Sequence, residues 1–291
     1  MLEAAPTLDQ FMDGWELFAD PALTGAAMGM TLGVVGVYVV VRHLVFLSAT
    51  LSQAASLGVA LSFLGRGLGL PAWLISPTLG AAVVSLGAVS LFARPLRRPH
   101  ARDDATLGLL YLVGAAGTLA VGTRVVQDLA DIQTLLFGTA VAVLPEDVHL
   151  VLWTCAGVLA LHAWWWRGFV ATSTDLTGAR VRQLPVRLID LTLFVTLALS
   201  VSVCTRVLGA LPAFAFSVLP ALGALRLAAN VPQALLWAGG LGAVIGFSGY
   251  LVAFLWSLPV GASQALVGAA LVAVTYAISP ILRRFRQRHL G

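Results

Sequence analysis

Apolar residues run along this chain in blocks of roughly 20, the length that crosses a bilayer core, broken by short polar or arginine-bearing stretches. The pattern predicts nine spanning helices, near 22–41, 44–64, 71–93, 105–123, 148–166, 188–208, 211–228, 234–256 and 263–281. The stretch "IQTLLFGTAVAVL" at 132–144 is too short to cross and reads as a half-helix or re-entrant piece before Pro145. Before the first span, Leu8, Phe11, Met12, Trp15 and Phe18 recur at helical spacing. They predict a short amphipathic helix lying in the membrane interface. The division is therefore an interfacial segment over 1–20, a transmembrane domain over 21–282 and a basic tail over 283–291. The fold class is all-α and polytopic.

Composition agrees. Of the 291 residues, 59% are hydrophobic and 10% charged, against about 25% charged in soluble domains; the mean hydropathy is +0.94. All 17 basic residues are Arg. A P-loop places a lysine on the nucleotide phosphates, so a chain without lysine carries no standard ATP-hydrolysing site. Any ATP-driven work belongs to another polypeptide. The first 20 residues hold five acids and no base, so the positive n-region of a signal peptide is missing.

Arginine asymmetry sets the expected orientation, because cytoplasmic loops collect positive charge. With the N-terminus outside, only Arg66, Arg124 and Arg206 fall outside. Arg42, the 94–102 and 167–187 loops, Arg226 and the Arg283–Arg288 run then lie inside, as does the C-terminus. The Trp164–Trp165–Trp166 run reads as an interface anchor, and "RRFRQRHLG" as a contact with anionic lipid rather than nucleic acid. Cys155 and Cys204 form no CxxC and read as small buried hydrophobes.

Within the second span, "FLSATLSQAASLGVA" is uncharged but mildly polar. Residues four apart share a helix face. Ala49, Gln53, Ser56 and Ala60 form one stripe, and Ser48, Ser52, Ala55 and Val59 its neighbour. Two readings stand: close helix packing through small residues and hydroxyls, or a pathway onto which Gln53 presents an amide needing partners.

The run "GVVGVYVVVRHLVFLSATLSQAASLGVAL" resembles the second-span signature of the zinc/manganese-type ABC transporter permeases, matching at Gly36, Tyr38, Val39, Val40, Arg42, Leu51, Ser52, Ala54, Gly58, Val59 and Ala60. "DDATLGLLY", "LLFGTAVAVLPEDV", "LGALPAFAFSVLPALGALRLA" (with Gly209 and Pro220) and "LPVGASQALVGAAL" resemble later blocks of that family, in family order over roughly 15–281. The resemblance implies a non-enzymatic permease subunit of the plasma (inner) membrane that works by alternating access. Two permease copies would pair, with a homodimer expected and a heterodimer open. A cytoplasmic ATPase would use the ATP, and an extracytoplasmic binding protein would deliver a zinc- or manganese-class ion. No cofactor is implied in this chain.

The departures are specific. The family projects an Asp and a His, four residues apart, into the pathway; here these are Ala49 and Gln53. The Asp of its "LFGD" is Thr139. Its cytoplasmic "D-P-E-x-A-x-x-x-G" loop matches at Asp175 and Ala179 but ends in Gln183. The resemblance thus places the pathway at Ala49, Ser52, Gln53, Ser56 and Pro220, and the ATPase contact at Asp175, Ala179, Arg180, Arg182 and Gln183. No residue set is expected to hold a metal: His43, His149 and His162 have no ligand spacing, and the Glu146–Asp147–His149 cluster is a weak candidate. A permease of different substrate, and a transport-inactive structural or regulatory subunit, remain as alternatives.

Overall fold

The computed structural model describes residues 7–71, 76–93, 102–125 and 143–288. Each of the nine predicted spans carries a helix, and the described residues contain no strand. The predicted all-α membrane fold is therefore the observed one. In chain order the helices are α1 (Leu8–Asp13), α2 (Trp15–Val41), α3 (Val45–Gly67), α4 (Pro77–Ala93), α5 (Arg102–Val125) and α6 (Pro145–Trp164). They continue as α7 (Trp166–Thr174), α8 (Leu176–Val181), α9 (Val186–Leu208), α10 (Ala210–Leu227), α11 (Val231–Trp256) and α12 (Val260–Arg288).

Among the described residues eight helices are long and apolar enough to cross a membrane. Of the helices on the nine predicted spans the exception is α4, whose apolar part is Pro77–Leu91. The half-helix predicted over 132–144 lies outside the described residues except for its last two positions.

The first spanning helix begins at Trp15, ahead of the predicted residue 22. The reason is aromatic packing. A capping box between Thr7 and Gln10 starts α1. Phe11 of α1 is buried against Trp15, Phe18, Tyr250 and Phe254. Trp15 and Phe18 thus lie in the first turns of α2, which at 27 residues is about 40 Å long.

Helices α2, α3 and α9 form the interior. In its most apolar stretch α3 is 72% buried, against 22% in α5 and α6. The most extensive contact, α2 with α11, is made by glycines. Gly25, Gly29 and Gly33 face Gly246, Gly242 and Ala238 in antiparallel register, so close that a Cβ on Gly29 or Gly242 would collide with the other residue's carbonyl oxygen. Missing side chains let the two backbones touch, as small residues do at membrane helix interfaces. On the other side, α3 lies between α4 and α5, with α9 closing over α3 and α4.

Candidate functional site

Local hydrogen bonding decides most of the α3 stripe. Ser52 is 1% exposed and donates to the Ser48 carbonyl at 2.9 Å. Thr50 reaches the carbonyls of Phe46 and, across to α5, Leu107 at 3.2 Å. Ser62 reaches Gly58 and Ser76, Ser85 of α4 reaches Leu51, and Ser202 of α9 reaches Ala81. These hydroxyls stitch α3, α4, α5 and α9 together. Ala49 is buried at 7% exposure. For Ala49 and Ser52, then, close packing describes the environment.

Two members of the stripe differ. Among the described residues Ser56 Oγ is buried with no hydrogen-bond partner. Gln53 is half-buried; its backbone and Cβ press on α5, where a Cβ added to Gly114 would lie 3.0 Å from the Gln53 Cβ. Among the described residues the Gln53 amide has no hydrogen-bond partner either, so Gln53 and Ser56 are the polar groups of this stripe left without one. Pro220 is buried in α10 beside Gly33 of α2.

Among the described residues no three His, Cys, Asp or Glu side chains converge as a metal site. Asp147, from the weak acidic cluster, is held by Arg206 at 2.7 Å. His162 is buried, with Nε2 2.9 Å from Thr196 Oγ1 and its ring stacked on Phe169. His43 ends α2 in a left-handed conformation at φ 58°. Cys155 and Cys204 are both buried and unpaired with each other. Thr139 lies outside the described residues.

The 167–187 loop folds into α7 and α8. Asp175 caps α8, its carboxylate accepting from the Gly178 N–H at 2.8 Å. Ala179 is 2% exposed and packs inward. The helix ends in a Schellman turn: Gln183 N–H reaches the Arg180 carbonyl and Leu184 N–H the Ala179 carbonyl, the pattern that wants a left-handed residue between. That residue is Gln183, at φ 55°, a conformation that favours glycine. Arg180, Arg182 and Gln183 are exposed, and Val181 stands out at 78%. The segment is an apolar knob with a basic rim.

One arrangement here was invisible in the sequence. Arg42, the cap of α2, reaches three partners: Nε to Ser173 Oγ at 2.8 Å, Nη2 to Thr172 Oγ1 at 2.6 Å and Nη1 to Asp190 Oδ1 at 2.6 Å. Those partners stand 130 to 148 positions away, beyond any periodicity. The available signal was an acid, Asp190, in the first turns of the span that follows the polar loop.

The model of the ABC 3 transport family matches residues 15–279. The manganese import system permease protein ScaB of Streptococcus pneumoniae is 26% identical over 280 residues, covering 95% of this chain and 97% of that protein. The uncharacterized membrane protein slr2045 of Synechocystis is 27% identical over 279 residues, covering 93% and 92%. Among solved structures, PsaBC from Streptococcus pneumoniae in complex with Fab superposes with a TM-score of 0.83 at 23% identity, covering 97% of this chain and 100% of that one. An inward-facing putative metal-chelate type ABC transporter gives 0.70 at 15% identity, over 94% and 90%.

Proposed function

This chain belongs to the ABC 3 transport family, and from that premise we propose that it is the membrane permease subunit of an ABC importer for a divalent metal ion of the zinc/manganese class. The carrying observation is the family match over nearly the whole helical bundle; manganese comes from the named activity of relatives such as ScaB. The absence of lysine assigns ATP hydrolysis to a partner. The exposed α7–α8 segment, with Val181 at its tip, is the surface offered to that ATPase. An extracytoplasmic binding protein delivers the ion at the opposite end, and the N-terminus lies on that outer side of the plasma membrane. The chain performs no covalent chemistry.

Ala49 and Gln53 favour a second, narrower reading within the same architecture. Neutral amide oxygen is a poor ligand for zinc beside Cys, His or carboxylate. Selectivity then comes from the delivering protein or from a second, non-identical permease that supplies the ligands.

The test is reconstitution of the chain with an ABC ATPase and an extracytoplasmic binding protein shown to assemble with it. Uptake of Mn2+ or Zn2+ that requires ATP is the expected result. A folded complex that hydrolyses ATP and accumulates neither ion rules the metal assignment out. The ratio of permease chains in the purified complex separates homodimer from mixed pair.

A further inference from the structure

Helix α7 is locked to the bundle by more than its connections. The Phe169 ring stacks on His162 of α6 at 4.4 Å and 8° and lies 5.4 Å from Tyr38 of α2. One turn further on, Thr172 and Ser173 hold the Arg42 guanidinium, whose remaining arm grips Asp190 of α9. The Thr172 hydroxyl proton goes to the Gly168 carbonyl at 2.9 Å, so its oxygen is free to accept from Arg42. The Arg42 side chain is only 11% exposed. A planar fork satisfied on three sides holds position as well as charge.

Arg42 also sits where α2 turns into α3. Its N–H closes α2 on the Tyr38 carbonyl at 3.0 Å, and Leu44 N–H returns to Val39 at 2.8 Å across left-handed His43. Three residues separate the two helices, and a hydrogen-bonded turn of that length has little slack. From Val45, the first residue of α3, to Gln53 the chain climbs about 12 Å at helical rise.

We propose that Arg42 is the positioning residue that relays movement of the α7–α8 segment to α3, carrying an ATPase stroke at the arginine-rich end to the face bearing Gln53. The inference rests on the transporter reading above. Displacement of α7 drags the guanidinium through Thr172 and Ser173, and the short α2–α3 turn converts that into a shift at the base of α3. Asp190 provides the fixed point on α9 against which the turn moves. A lysine in place of Arg42 offers one point charge for three acceptors, so it keeps the ion pair but loses the fork.

The experiment uses the complete transporter, with its ATPase and binding protein, in vesicles supplied with Mn2+. Wild type, Arg42→Gln and Arg42→Lys are compared for manganese moved per ATP hydrolysed, at equal amounts of assembled complex. Arg42→Gln is expected to lower that ratio about tenfold, within the range of mutational effects on coupling, while hydrolysis persists; Arg42→Lys falls between. Hydrogen exchange of the α3 amides over residues 45–53 is followed in parallel on adding a non-hydrolysable ATP analogue. A change is expected in wild type and not in Arg42→Gln. An unaltered ratio in both variants overturns the relay. So does a fall in hydrolysis and uptake together, or an α3 response that survives in Arg42→Gln. Should Arg42→Gln not assemble, Arg42→Lys and Asp190→Asn are read by the same two measurements. Wild type that hydrolyses ATP without moving manganese tells against the metal reading alone, because the exchange experiment still judges the relay.

Discussion

Gln183 carries a backbone conformation that its side chain disfavours. A left-handed turn brings Cβ against the following carbonyl, at about 1–2 kcal/mol for an L-residue, and the Schellman hydrogen bonds hold Gln183 at φ 55° all the same. Glycine removes that cost and adds about 0.5–1 kcal/mol of unfolded-state entropy to be overcome. Gln183→Gly is thus expected to stabilise the purified protein by about 0.5–1 kcal/mol, and Gln183→Val, branched at Cβ, to destabilise it. Thermal unfolding in detergent would show both; a valine variant melting with wild type would mean the turn is not left-handed. At Ala49 and Gln53 the expectation is chemical. Wild type should bind no stoichiometric Zn2+ in calorimetric titration. Ala49→Asp with Gln53→His should gain a site, because positions four apart on α3 share one face and zinc takes carboxylate and imidazole. Submicromolar binding by wild type that vanishes in Gln53→Ala would instead make Gln53 a ligand.

Among the elements, α2 and α11 depend on absent side chains. A methyl on Gly29 or Gly242 meets the opposing carbonyl oxygen, and backbone cannot rotate aside as a side chain does. Overpacking of this kind costs about 1–3 kcal/mol, so Gly29→Ala and Gly242→Ala should lower thermal stability by that order. Gly240, on the same helix, has nothing within 4 Å of an added Cβ, and Gly240→Ala should be neutral or slightly stabilising. Equal melting of all three variants would exclude the backbone contact. The spans themselves were legible because crossing a bilayer demands a long apolar run, and a run is local. The glycine face was also written locally, at four-residue spacing over Gly25, Gly29 and Gly33, but nothing in it named α11 as the partner. Arg42 was legible as a span end. Its grip on Thr172, Ser173 and Asp190 was not, since that contact exists only once α6 to α9 have folded back to the α2–α3 turn. Gln183 was flagged by resemblance, and the structure shows it in a conformation that favours glycine. The α3 stripe was ambiguous because packing hydroxyls and pathway hydroxyls look the same in sequence; burial separated Ser52 and Ala49 from Gln53.

At the scale of the whole molecule, orientation hangs on α4. Its 17 residues measure about 25 Å at helical rise, short of the roughly 30 Å hydrocarbon core. Packing against α3 and α9 compensates: Gly58 and Gly80 meet backbone to backbone, and Ser85 and Ser202 bond across to Leu51 and Ala81. A short helix gripped on two sides by longer ones can cross without presenting its ends to lipid. The arginine distribution needs that crossing. Between Leu68 and Val181 the chain passes through α4, α5 and α6; three crossings put these residues on opposite faces, and two would put them on the same one. Leu68 is 73% exposed and Val181 78%, while both native cysteines are buried, so background labelling is low. With a membrane-impermeant maleimide on intact cells, Leu68→Cys should react and Val181→Cys should react only after permeabilisation. Labelling of both in intact cells would mean that α4 stops short or that residues 126–142 cross. The reverse pattern would invert the molecule, placing the α7–α8 knob outside, where no ATPase could reach it.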